Sequence, residues 1–299
     1  MKIAICGLGK MGSQIAKKLN EGEHEVIAHN RNSILVDEMK TLGMVGAYTK
    51  EEVVRAFGNS KPIIWLMVPS EVVDGELGLW LKILPKGSII IDGGNSKWSD
   101  SSRRYKEVKE FGSSFIDIGT SGGVWGYKNG FSMMIGGDKE SFEILKPILE
   151  TLKNPTGDYK YFGESGSGHY VKMVHNAIEY GMMESLAEGY RLLKEGPYKH
   201  IDLYKAGVVW QHRSVITSWL NELTRDILKD NPNQDNIDGK VVESGEARWA
   251  LEVAKEYSIE APAIQSSFDV RIDSQKGKVN FATKLLSSMR NAFGGHKIN

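Results

Sequence analysis

The apolar run Lys2–Cys6 breaks into Gly7-Leu8-Gly9-Lys10-Met11-Gly12, continues through SQIAKKLNEG at helical spacing, and is followed by a second apolar run, HEVIAHN. Strand, glycine turn, helix and strand within about thirty residues constrain the fold strongly, because such a crossover lays its two strands parallel. Each glycine has its own task in this turn. Gly7 makes the tight bend, Gly9 lets the backbone approach a pyrophosphate, and Gly12 lets the helix pack closely on the sheet. The helix start then offers unpaired N–H groups and the positive end of its dipole to an anion. The whole turn, with Leu8, Lys10 and Met11 between the glycines, is therefore expected to contact a dinucleotide. A glycine-rich turn with no ligand is the alternative, and the strand–helix–strand context weighs against it.

The end of the second strand bears on which dinucleotide binds. A carboxylate about twenty residues past the fingerprint would take the ribose 2′-hydroxyl of NAD. Here the tip reads Asn30-Arg31-Asn32, with no acid. Arg31 suits the 2′-phosphate of NADP, so NADP is expected, with NAD still permitted and a merely solvated arginine the competing explanation. Strands and helices go on alternating through PIIWLMVPS, SIIIDGGNS and SFIDIGT, which implies a mostly parallel sheet with ligands over the carboxyl ends of its strands. Two strand ends are candidates for ligand contact, Val68-Pro69-Ser70 and Gly93-Gly94-Asn95-Ser96, with Asn95 able to hydrogen-bond there or serve only as a turn residue. Ser121-Gly122-Gly123 offers adjacent N–H groups and a hydroxyl suited to a carboxylate, or is a loop without a ligand.

Beyond residue 166 every periodic stretch reads as helix, including LYKAGVVWQHRSVITSWLNELTRDILKDN as one segment, and no alternating strand is evident. The expected fold class is thus an α/β Rossmann-type dinucleotide-binding domain, residues 1–165, followed by an all-α domain, residues 166–299. A helical domain docked on the first would leave a cleft for a ligand. Thirty-eight basic and thirty-eight acidic residues cancel, so no global field argues for nucleic acid or a membrane surface. The single cysteine, Cys6, excludes an intrachain disulfide and a cysteine-rich metal site. The N-terminus leaves no room for a signal sequence and no stretch is long and apolar enough to span a bilayer, so a cytoplasmic location is expected.

Gly166–Tyr180, GSGHYVKMVHNAIEY, carries the densest chemistry. On a helix, Lys172, His175, Asn176 and Glu179 share a sector of roughly 100°, with Tyr180 at its edge. Lys172 and Glu179 stand two turns apart, ~10 Å of rise, close enough for two long side chains to meet one ligand. They form a candidate acid/base pair. Val171, Val174, Ile178 and Met182 fall beside that sector as an apolar flank to bury. Taken alone, the stretch reads equally well as a solvated amphipathic helix with incidental neighbours.

GLGKMG, the Asn-Arg-Asn tip, IIIDGGNS, the Ser-Gly-Gly loop and GHYVKMVHNAIEY, in this order along nearly the whole chain, resemble the decarboxylating 6-phosphogluconate dehydrogenases. The length is that of the family's short form, which lacks much of the helical domain of longer members. The resemblance implies oxidative decarboxylation of 6-phosphogluconate to ribulose 5-phosphate and CO2, with no metal. It makes Lys172 the general base at the 3-hydroxyl and Glu179 the acid that protonates the enediol carbon. It places Ser121, Gly122, Gly123, His175 and Asn176 on the substrate carboxylate and hydroxyls, Asn95 near both ligands, and Tyr180 and Arg271 at the phosphate. A lysine base must be neutral, so the site has to lower its ordinary pKa of ~10.4 through burial or nearby positive charge.

The pattern departs from longer members in SGEARWALE, where Ser244 and Glu246 replace the phosphate-binding lysine and threonine. The tail Arg290-Asn-Ala-Phe-Gly-Gly-His296 resembles the motif that delivers an arginine and a histidine into a partner's site, implying a homo-oligomer, dimer or larger, that shares its active site. The competing explanation is a frayed basic terminus. Two other functions stay open: a β-hydroxyacid dehydrogenase on a small unphosphorylated acid, which would not need Glu179, Arg271 or Arg290, and a non-catalytic dinucleotide-binding sensor, which would not need Lys172, Asn176 and Glu179 on one face.

Overall fold

Residues 1–297 are described in the computed structural model. The strands are β1 (Lys2–Cys6), β2 (Glu25–His29), β3 (Val45–Ala47), β4 (Ile63–Leu66), β5 (Ile89–Asp92), β6 (Ser114–Ser121), β7 (Ser132–Gly137) and β8 (Tyr159–Gly163). They form one sheet in the order β3-β2-β1-β4-β5-β6-β7-β8. Every neighbouring pair is parallel except β6 and β7. The helices between them are α1 (Lys10–Glu21), α2 (Ser33–Thr41), α3 (Lys50–Phe57), α4 (Ser70–Leu81), α5 (Trp98–Phe111), the short α6 (Gly126–Asn129) and α7 (Lys139–Lys153).

Strand periodicity explains why β1, β4 and β5 are apolar on both faces. Ile3, Ile5, Trp65, Ile89 and Ile91 point to a core shared with Ile15 and Leu19 of α1 and Leu145 and Leu149 of α7. Their alternates Ala4, Cys6, Ile64, Leu66 and Ile90 point to a second core closed by Val53 and Phe57 of α3, Val73 and Leu77 of α4 and Val108 of α5. Strands β3, β7 and β8 were not evident in the sequence. β7 follows a connection too short for a parallel crossover, so the chain turns back and pairs antiparallel with β6, Thr120 opposite Met133.

The rest of the chain folds as α8 (Ser167–Glu195), α9 (Leu203–Gln211), α10 (Trp219–Asp230), α11 (Glu246–Glu256), α12 (Pro262–Gln275) and α13 (Phe281–Gly294), with no strand among its described residues. The stretch expected as one helix over LYKAGVVWQHRSVITSWLNELTRDILKDN is two. α9 ends before Arg213, which sits at φ 62°, and α10 restarts where the Ser218 side chain accepts from Asn221 N at 3.1 Å. Met183, Ala187 and Tyr190 of α8 join Leu203, Leu220, Leu285, Leu286 and Met289 in the helical core. The chain divides into two compact units, Met1–Lys172 and a second beginning at Met173, and α8 runs through the boundary.

One expectation about α8 is corrected. The flank of Val171, Val174, Ile178 and Met182 is not the buried side, for Ile178 and Met182 are 51% and 45% exposed. The buried face is Met173, Ala177, Tyr180 and Met183, because those residues meet the packed neighbours. A sequence with apolar residues on two flanks does not specify which one faces them.

Candidate active site

The β1–α1 turn has the geometry of a dinucleotide cradle. Gly7 lies at φ +106°, and a Cβ there would stand 2.3 Å from Met67 O; one on Gly12 would stand 1.9 Å from Gly7 O. Neither position tolerates a side chain. A Cβ on Gly9 meets nothing within 4 Å, so the space over it is open. The first turn of α1 has no side-chain cap and no acidic residue, leaving its N–H groups to an anionic group such as a pyrophosphate. Beside it Asn30 Oδ1 accepts from Leu8 N at 3.0 Å, and Asn32 Oδ1 caps α2 through Ile34 N at 3.1 Å. Both asparagines therefore shape the loop, and Arg31 is left as its exposed cation.

The loops after β4 and β5 are drawn together. A Cβ on Gly94 would lie 2.6 Å from Val68 O, and one on Gly93 would lie 1.9 Å from Trp65 Nε1. Buried Arg104 of α5 ties them, donating to Asp92 Oδ2 at 2.9 Å, Ser96 Oγ at 3.0 Å, Asp74 Oδ1 at 2.6 Å and Ser70 O at 3.3 Å. Val68-Pro69-Ser70 and exposed Asn95 thus stand on one braced rim. Sequence reasoning missed Arg104, which sits in the basic helix SSRRYKEVKEFG, and whose acidic partners come from distant segments.

Lys172 is seated on the sheet through the start of α8. Buried Asp117 accepts from Gly166 N at 2.7 Å, His169 N at 3.0 Å and Ser165 Oγ at 3.1 Å, capping the helix with a carboxylate at its positive end. A Cβ on Gly119 of β6 would come within 2.2 Å of Lys172 Cβ, so the lysine stem lies directly against the strand. The same strand ends at Ser121, and Gly122 and Gly123 both have positive φ, 131° and 51°.

In the second unit, the polar face of α8 meets α11, α12 and α13. Arg271 of α12 is 1% exposed and its guanidinium lies 3.3 Å from the Tyr180 ring centroid. Its Nε and Nη1 are buried without a hydrogen-bond partner. Burial pulls its pKa down to about 10, with Tyr180 raising it and Arg290 lowering it further. Arg290 of α13 is also buried and shifted down by desolvation, against the favourable field of Tyr180, Glu179, Glu246 and Glu243 of its own chain. Arg290 lies in its own chain's cluster, and His296 folds back on α13, its carbonyl accepting from Asn291 Nδ2 at 2.7 Å and its ring edge-on to Phe293.

Ser244 and Glu246 are held by this same face. Ser244 N donates to Tyr180 Oη at 3.0 Å, and Asn176 Nδ2 donates to Glu246 Oε1 at 2.6 Å. Asn176 Oδ1 in turn meets His175 Nδ1 at 2.9 Å. The structure therefore gathers Asn176, Tyr180, Arg271 and Arg290 around the two residues where the sequence departs from longer relatives. Glu184, one turn on from Tyr180, was not anticipated; burial pushes its carboxyl up to about 7, with Glu188 adding to the shift and Arg271 opposing it.

Residues 2–161 match the family described as the NAD binding domain of 6-phosphogluconate dehydrogenase, and residues 168–292 match the 6-phosphogluconate dehydrogenase C-terminal domain. The NAD(+)-dependent, decarboxylating 6-phosphogluconate dehydrogenase of Haloferax volcanii is 33% identical over 300 residues, covering 100% of this chain and 98% of the relative. The NADP(+)-dependent enzyme of Bacillus subtilis is 35% identical over 301 residues, and the match covers 96% of this chain but 64% of that longer protein. The solved 6-phosphogluconate dehydrogenase of Plasmodium falciparum aligns at TM-score 0.83 and 29% identity, over 97% of this chain and 70% of that one. A 3-hydroxyisobutyrate dehydrogenase of Mycobacterium tuberculosis shares the fold at TM-score 0.76 and 17% identity. With both halves matched in sequence and in fold, the chain belongs to the 6-phosphogluconate dehydrogenase family, and its first unit is a nicotinamide-dinucleotide-binding domain.

Proposed function

We propose that this protein oxidises and decarboxylates 6-phospho-D-gluconate to D-ribulose 5-phosphate and CO2. The observation that carries this reading over a small unphosphorylated acid is the pair of buried guanidinia, Arg271 and Arg290, with two Arg271 nitrogens lacking acceptors. Two desolvated cations call for a ligand group of high negative charge, and a phosphate offers acceptors to both. The Tyr180 ring lies against the Arg271 guanidinium, 3.3 Å from its centroid to Cζ.

The bound dinucleotide supplies the acceptor for the hydride leaving C3. Arg31 suits an NADP 2′-phosphate, while the relatives include an NAD(+)- and an NADP(+)-dependent enzyme, so both coenzymes are to be tested. Neutral Lys172 takes the 3-hydroxyl proton as the hydride departs, then returns it to the ketone oxygen as the C1–C2 bond breaks and CO2 leaves. The electrons of that bond form an enediol. Glu179, two turns further along α8, protonates C2 of the enediol while neutral Lys172 takes back the proton of the C3 hydroxyl, which gives the product ketone. The Ser121, Gly122 and Gly123 backbone, His175 and Asn176 hold the carboxylate and hydroxyls, and Asn95 contacts substrate and coenzyme.

The exposed apolar side chains Ile178, Met182 and Leu192 on α8, with Val209, Val215 and Ile216, support a homo-oligomer that covers them. A spectrophotometric assay with 6-phosphogluconate, run with NAD and NADP separately while CO2 is trapped, tests the reaction. Reduced coenzyme and CO2 in equal amounts are expected. Reduction without CO2, or turnover only of an unphosphorylated hydroxyacid, would overturn it.

A further inference from the structure

Glu246 opens α11 immediately after Gly245, which adopts φ +104°. Its side chain is 4% exposed, Oε1 is taken by Asn176, and Oε2 is buried with no hydrogen-bond partner. The segment that leads into the carboxylate is anchored as well. Two residues earlier Ser244 is anchored to Tyr180 through its N–H and, at 3.2 Å, its hydroxyl. Glu243 Oε2 accepts from Gly245 N at 2.7 Å. Glu246 is thus held against the polar face of α8.

An ionised carboxylate only accepts hydrogen bonds, and leaving one oxygen buried and unmet is costly. A donor on a bound ligand would meet that need. Phosphate oxygens are acceptors and serve Arg271 and Arg290, but they offer nothing to Oε2. The hydroxyls of a sugar-acid chain are donors.

We propose that Glu246 is a specificity-determining residue. Its Oε2 accepts a hydrogen bond from one hydroxyl of the substrate's carbon chain, while its Oε1 fixes the Asn176 amide with the NH2 group toward the carboxylate. The inference rests on the sugar-acid reading above and deepens it, giving a role to an acidic residue that a phosphate would repel. A site built to accept a hydroxyl proton rejects a ligand lacking that hydroxyl, because the buried acceptor is then left unpaired.

The test is a cycle between residue and substrate. kcat/KM is measured for the unaltered enzyme, Glu246→Gln and Glu246→Ala, with 6-phosphogluconate and with analogues from which the hydroxyls at C2, C4 and C5, which are not the one oxidised, are removed one at a time. Glu246→Gln preserves volume and an acceptor for Asn176 but loses the charge, so it guards against misfolding of the alanine variant. One analogue is expected to lose about 10- to 100-fold in the unaltered enzyme. That loss should shrink in Glu246→Gln and fall to about twofold or less in Glu246→Ala. Equal losses in all three proteins would show that Glu246 acts only through Asn176 or turns to Arg290, and would overturn the inference while leaving the reaction standing. Absence of any turnover of 6-phosphogluconate by the unaltered enzyme would sink the reaction, and this inference with it.

Discussion

At the scale of single residues, the position of Lys172 depends on the absence of a side chain at Gly119. An alanine there would set its Cβ 2.2 Å from Lys172 Cβ and 3.1 Å from Gly168 O. Neither neighbour is the loose end of a side chain, so the start of α8 has to move. Overpacking of this kind costs about 1–3 kcal/mol in stability. A lysine displaced by about 1 Å loses roughly 100-fold in rate. Gly119→Ala should therefore lower kcat about 100-fold in the assay above, with dinucleotide affinity, measured by fluorescence titration, unchanged, since the β1–α1 turn is untouched. Normal turnover would remove Lys172 from the role of base. That Lys172 and Glu179 lie on one helix was legible in the sequence from the spacing alone, while the roles given to them are part of the proposal. Gly119 was not, since its constraint comes from a residue more than fifty positions away.

Among the elements, α8 shows most clearly what a pattern can and cannot specify. Its existence and polar sector follow from spacing, whereas its buried flank depended on which neighbours packed against it. Strands β7 and β8 were hidden for a related reason, since β8 lies at the sheet edge with half-exposed alternation that resembles loop. The burial of α8 also carries a pH signature. Glu184 has its folded pKa raised from 4.5 to about 7, chiefly by desolvation. The folded state then binds its proton more tightly than the unfolded chain, and the slope of stability with pH is negative between those values. Its penalty is absent below pH ~4.5 and fully present above ~7. Glu184→Gln should raise Tm at pH 8, leave it unchanged at pH 4, and flatten the dependence between them. A Tm gain of equal size at both pH values would mean that packing, not ionisation, governs this position.

For the whole molecule, the proposal that Arg290 meets a phosphate leaves two arrangements to separate, an arginine from the same chain or from a neighbour. The tail motif led to the expectation of a neighbour's arginine. In the structure, Leu285, Leu286 and Met289 of α13 are fully buried in the helical core of their own chain, and Arg290 follows directly. Delivering Arg290 elsewhere without an exchange of α13 between chains would pull those side chains into water, at about 1.5–3 kcal/mol each. An arginine serving its own chain is the cheaper arrangement, and it makes each chain's pair of guanidinia self-contained. Mixing inactive Lys172→Ala and Arg290→Ala subunits under conditions that allow exchange distinguishes the two cases. If Arg290 served a neighbour, a mixed dimer would hold one site with both an intact lysine and an intact arginine. Random pairing would then restore about a quarter of the unaltered activity. With Arg290 acting in its own chain, every site in the mixture carries one defect and no activity returns. Recovery toward that quarter would restore the shared-site arrangement and require α13 to exchange between chains.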